Sequence, residues 1–169
     1  MNQRQQYTTV GEYFKTSKIL FGAFIIGVIN LGIVLVILFF LEMLPLGDFD
    51  PSLTIYAIIG SLIFFALMTY VGNVVVQRKA SQTEQHSALA KKLSVYREGK
   101  LIQAVTLEAS ALVAMVLTMF LTHIFFVVIA FLSLMQMIRS FPKKSEIVEA
   151  FELSYSDQQK LDDPNFKLS

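Results

Sequence analysis

Two polar side chains sit where their chemistry is costly. Glu108 lies eight residues past Lys100 and Asn30 eleven past Ile19, each inside a long apolar run. Within a membrane-spanning helix such a group faces protein or water and marks a functional candidate by default. A carboxyl about 12 Å along the helix from its last flanking cation offers three chemistries. It can hydrogen-bond a polar group such as Asn30, Ser61 or Ser110, it can bind or pass a proton or cation, or it can contact a separate membrane chain. Asn30 is explained by a hydrogen bond between helices, without transport. His123 reads as an interfacial turn residue rather than a ligand.

Other chemistries lack their parts. There is no Cys, so thiol–disulfide exchange and thiolate metal sites are excluded. Only His123 lies near the membrane, His86 being in a polar segment, so a transmembrane haem has no pair of axial ligands. No Glu-x-x-His motif offers a di-metal site, and no P-loop, Gly-x-Gly-x-x-Gly or nucleophile elbow occurs. Catalytic, cofactor-binding and metal residues are all expected to be none, and the chain is not expected to be an enzyme.

The elements that must position Glu108 and Asn30 are apolar helices. Of 169 residues, 54% are hydrophobic and 16% charged, against about 25% charged in globular chains, and mean hydropathy is +0.59. A net charge of +1 does not suit a nucleic-acid binder. Residues 19–41 and 55–76 are apolar runs of 23 and 22 residues, each able to cross a hydrocarbon core of about 30 Å. Residues 101–138 form a third stretch, of 38 residues, about 57 Å as one helix. No Gly, Pro or Asn marks a turn near Leu121-Thr122-His123, so the charges must decide. The 14 Lys and Arg all fall in residues 4–18, 78–100 and 139–167, while 42–54 carries only Glu42, Asp48 and Asp50. Basic flanks stay cytoplasmic, and only two crossings within 101–138 put them all on one side.

The expectation is an all-α polytopic membrane protein with four transmembrane helices in two hairpins and both termini cytoplasmic. Its parts are a cytoplasmic N-terminal segment (1–18), a first transmembrane hairpin (19–76), a cytoplasmic amphipathic connector (77–100), a second hairpin (101–138) and a cytoplasmic tail with short helices (139–169). In the outer loop, Pro45-Leu46-Gly47-Asp48 and Asp50-Pro51-Ser52 supply turns, with a helix cap at Ser52 or Thr54.

Finer patterns leave alternatives open. Phe14-Lys15-Thr16-Ser17-Lys18 is echoed 82 residues later by Tyr96-Arg97-Glu98-Gly99-Lys100, either as a parallel duplication or because inward helix starts share aromatic and basic residues. Leu89, Leu93 and Tyr96 form one face of the connector, which either lies at the headgroups or extends two bundle helices. Pro142 starts a short amphipathic helix, and Ser156-Asp157 caps another that ends before Asp162-Asp163-Pro164. This acidic tail either pairs with the basic connector or docks a partner. Small residues at Ala23-x3-Gly27, Ala57-x3-Ser61 and Thr106-x3-Ser110-x3-Ala114-x3-Thr118 allow close helix approach.

Leu107-Glu108-Ala109-Ser110-Ala111 is loosely similar to the carboxyl helix of rotary-ATPase proteolipids, but Gly22, Gly27 and Gly32 do not reproduce their glycine repeat. Small multidrug transporters also have four spans and one membrane Glu, but theirs is in the first span. Tyr96…Leu101-Ile102…Leu107-Glu108-Ala109…Phe120-Leu121-Thr122, followed by Arg139…Pro142-Lys143, resembles a group of bacterial four-span integral membrane proteins without an assigned activity. The resemblance implies the bacterial inner membrane and a turn at Thr122, and adds no chemistry. The expected partners are the lipid bilayer and a homo-oligomer or larger membrane complex, with no nucleic acid. The expected function is that of a structural or accessory subunit; the alternative is proton- or cation-coupled transport through Glu108.

Overall fold

Uninterrupted apolar sequence makes long helices, and polar residues at their edges set the ends. In the computed structural model, which describes residues 8–43, 50–84 and 87–168, the elements are α1 (Val10–Phe40), α2 (Pro51–Ser81), α3 (Leu89–Leu121), α4 (Ile124–Arg139), α5 (Lys144–Ala150) and α6 (Tyr155–Asp162). Thr9 caps α1: its Oγ1 accepts from the Glu12 amide at 3.2 Å while Glu12 Oε2 accepts from the Thr8 amide at 2.9 Å. Asp50, rather than Ser52 or Thr54, caps α2. Its Oδ1 accepts the Ser52 amide at 2.9 Å, and Pro51 fits the first helical position because its missing N–H has no helical partner there. The Ser52 amide holds the Asp50 carboxyl below the usual carboxylate range. The turn expected at Pro45-Leu46-Gly47-Asp48 lies outside the described residues.

Helices α1, α2 and α3 are each long and apolar enough to cross a membrane. Helix α4 has 16 residues, about 24 Å, and meets α5 at a bend of 77°. Between α3 and α4 the chain reverses at Thr122 (φ 46°, ψ 35°). His123 then caps α4, its Nδ1 accepting from the Phe125 amide at 3.4 Å. A β-branched residue in the left-handed region carries backbone strain, and the reversal falls on a residue type that does not mark turns in a sequence.

Helix α3 is the hub, packed most closely against α2 and α4 and more lightly against α1. The α2–α3 approach depends on glycine. A Cβ built at Gly72 would stand 2.7 Å from Thr106 Oγ1 and 3.2 Å from the Gln103 Cα, and one at Gly99 would stand 3.2 Å from the Val76 Cα. On α3's other side, Gly27 and Gly32 of α1 meet Glu108 and Met115. Helices α1 and α2, consecutive in sequence, make little contact with each other.

At the basic end the helices run past their apolar spans and build a second core. Val10, Tyr13, Phe14, Ala80, Leu89, Leu93, Tyr96, Ile147, Phe151, Leu153, Leu161 and Leu168 form one buried cluster. The connector is not one helix lying across the headgroups: α2 ends at Ser81 and α3 starts at Leu89, so the face of Leu89, Leu93 and Tyr96 covers this core. The tail closes it. Lys167 bridges Thr9, and the α1 amides of Val10 and Gly11 donate to Phe166 O at 3.1 Å and Pro164 O at 2.8 Å. Those amides open a helix and have no partner within it. Helix α5 begins at Lys144, two residues after Pro142, and α6 is capped by Ser154, whose Oγ accepts from the Asp157 amide at 3.3 Å.

Candidate functional site

Asn30 points away from the bundle. It is exposed on α1, and no hydrogen bond to its side chain is formed among the described residues. At 100° per residue, Ala23, Gly27 and Asn30 fall within about 60° of one another, and all three are exposed. This outward stripe therefore combines small residues with a carboxamide in the middle of an apolar helix.

Glu108 lies at the edge of the same stripe. It is half-buried, and a Cβ built on Gly27 would be 3.9 Å from its Oε1. None of the expected partners bonds to it. Ser61 Oγ donates to its own helix, to Ile58 O at 2.9 Å. Ser110 Oγ is met by Ser133 Oγ across the α3–α4 interface at 3.2 Å, and Asn30 faces outward. Among the described residues the Glu108 side chain has no hydrogen bond or ion pair. The structure thus places Glu108 and Asn30 around one face of α1 without joining them.

Nearer the basic end, α2 and α3 share a polar seam that inspection of single residues overlooks. Gln103 Nε2 donates to Asn73 Oδ1 at 2.5 Å, while Gln103 Oε1 and Thr69 Oγ1 are buried without a hydrogen-bond partner. The available signal was the recurrence of amides and hydroxyls at 69, 73, 103 and 106 beside Gly72. Two apolar helices that approach through a glycine can accommodate such a seam.

The basic end holds a tighter constellation. Lys100, only 5% exposed, sets its Nζ 2.6 Å from Glu146 Oε2 and donates to Ser140 O at 3.2 Å. Tyr96 OH donates to the same Glu146 oxygen at 2.8 Å. Lys92, also buried, faces Asp157 at 3.9 Å, and Asp157 in turn takes Lys160 at 3.0 Å. The acidic tail therefore pairs with the basic start of α3. These contacts join helices and carry no substrate geometry. Among the described residues no group of three or more His, Asp or Glu is arranged to hold a metal. His123 stacks on Phe125, ring centres 5.5 Å apart, at the turn, and His86 lies outside the described residues.

An apolar groove of about 430 Å³ opens between α1 and α4 at the end far from the basic core, with Phe39, Met115, His123 and Val127 among its walls. No Asp, Glu, Lys or Arg is in its lining. The chain matches no protein-family model, no curated protein and no solved structure.

Proposed function

We propose that this is a four-span protein of the bacterial inner membrane with both termini cytoplasmic, acting as an accessory or structural subunit. In this reading α4 is the fourth span, its short length accommodated by local thinning of the bilayer. The protein associates with other membrane chains, or with further copies of itself, through the outer face of α1. One observation carries the reading: Asn30 is exposed within the apolar run of α1 that follows Lys18, on the stripe of Ala23 and Gly27. Facing lipid, that amide would lack hydrogen-bond partners. A second helix packed on the small residues would supply them, and Glu108 beside Gly27 gives the same interface a second polar contact.

Because the chain contains no Cys, single cysteines can carry a photoreactive maleimide in membranes. Ala23→Cys and Asn30→Cys should give protein adducts, and Ile63→Cys, 62% exposed on α2, should give none. Lipid-only labelling at all three positions would overturn the proposal.

The unpartnered carboxylate of Glu108 supports a second reading, a site that binds or passes a proton or cation. Glu108→Gln keeps the shape and removes the titrating group. Loss of pH-dependent flux in liposomes, with assembly unchanged, would favour this reading over the first; a parent protein without flux would end it.

A further inference from the structure

Several lysines of the basic end are neutralised within the fold: Lys79 of α2 by Glu98 of α3 at 3.0 Å, and Lys100 and Lys92 by Glu146 and Asp157 of the tail at 2.6 and 3.9 Å. Elsewhere at this end, a pocket of about 550 Å³ opens where α1 meets Pro164 and the segment joining α4 to α5, with Lys18, Lys143 and Lys144 in its lining and no acidic residue. Lys18 and Lys143 have no carboxylate within ion-pair distance among the described residues. Lys144 pairs with Asp162 at 3.1 Å and holds its Nζ 5.9 Å from the Phe14 ring centre.

The pocket's level along the bundle identifies its ligand. Lys18 immediately precedes the apolar run 19–41, and Lys143 follows Arg139, the last residue of α4. In the four-span reading both cations stand where hydrocarbon gives way to headgroups. Phe14, Phe141 and Pro142 give the pocket apolar walls. The Phe21 and Phe141 rings, 6.0 Å apart edge to face, stand between α1 and the α4–α5 segment beside it. Ile19, next to Lys18, is 64% exposed, and Ile138, near the end of α4 five residues before Lys143, is 47% exposed, apolar surface on which acyl chains can lie. We propose that this pocket binds the phosphate of an anionic phospholipid headgroup from the cytoplasmic leaflet. Basic pockets between transmembrane helices on that face take such headgroups. The proposal requires α1 and α4 to cross the bilayer but needs no protein partner, so it stands or falls separately from the α1 interface.

The test is lipid retention by the full-length protein from equimolar phosphatidylglycerol and phosphatidylcholine, read by native mass spectrometry. The parent should retain phosphatidylglycerol preferentially. Lys18→Gln with Lys143→Gln should lower that preference about 30-fold, from the contribution of two lysines near an anionic surface. Lys18→Arg with Lys143→Arg should keep it, which separates loss of charge from loss of fold. Arg78→Gln with Lys91→Gln, the same charge change at exposed positions elsewhere, should also keep it. A parent without preference would overturn the proposal. So would equal loss in the Arg78 and Lys91 control, or displacement of the lipid by millimolar inorganic phosphate, which would mean a soluble anion is the ligand.

Discussion

Glu146→Gln replaces one oxygen with an amide and removes the carboxylate that neutralises Lys100. Lys100 is 5% exposed, so its charge cannot turn to bulk water. It keeps the Ser140 carbonyl at 3.2 Å and the Tyr96 ring, 5.6 Å from Nζ, neither of which carries a full negative charge. Removing one partner of a buried pair costs about 3–5 kcal/mol. The Glu146 side chain is 33% exposed, which lowers the expected loss to about 2–3 kcal/mol. For a chain of this size that corresponds to a fall in melting temperature of roughly 5–10 °C. Lys100→Met should behave similarly, leaving Glu146 bonded to Tyr96 alone. Lys100→Met with Glu146→Leu removes both charges and should lie close to the parent, because a buried pair replaced by packed apolar groups is often neutral or better. The assay is thermal loss of the monodisperse species in mild detergent, with protease sensitivity of residues 144–168 followed in parallel. An unchanged melt for Glu146→Gln would refute the reasoning, as would a double variant falling by the sum of the two single losses.

Gly72→Ala should destabilise by about 1–3 kcal/mol through overpacking against Thr106 and Gln103, whereas Gly60→Ala, with nothing within 4 Å of its Cβ, should not; thermal scans of the two variants make the comparison. Ile147→Ala empties a fully buried site in the basic-end core and should cost about 2–5 kcal/mol, read as earlier proteolysis of the tail. Thr122→Gly relieves a β-branched residue at φ 46° and should raise stability by about 1 kcal/mol, read as a higher melting temperature.

The apolar runs and the reversal at Thr122-His123 were legible because they rest on one-dimensional quantities: span length, and the sign of charge on either side. The imbalance of charge between acidic tail and basic connector offered their meeting as one of two alternatives, beside docking of a partner, and the ion pairs of Lys100 and Lys92 show the first. What packs beside what was less accessible. Nothing local in α1 or α2 says that α2 approaches α3 while α1 leaves its own neighbour, since that choice depends on Gly72 of α2 meeting Gln103 and Thr106, and Gly99 of α3 meeting Val76, at two separate points of one interface. The caps at Asp50 and Ser154 lie two residues before the nearest expected ones, where several oxygen-bearing side chains compete for the same amides. The site residues show the limit most clearly. Depth marked Glu108 and Asn30 as costly, but only packing could reveal that Ser61 and Ser110 are bonded elsewhere and that Asn30 looks outward.

The bridge between Thr9 and Lys167 has a consequence for biosynthesis. The amides of Val10 and Gly11 and the carbonyls of Phe166 and Pro164 that receive them lie at opposite ends of the described chain, so the two halves of this closure are synthesised far apart in time. Until the later half exists, Val10, Tyr13 and Phe14 lack Leu161 and Leu168, with which they share a buried cluster in the finished fold. The start of α1 is thus sealed only after α5 and α6 have been made.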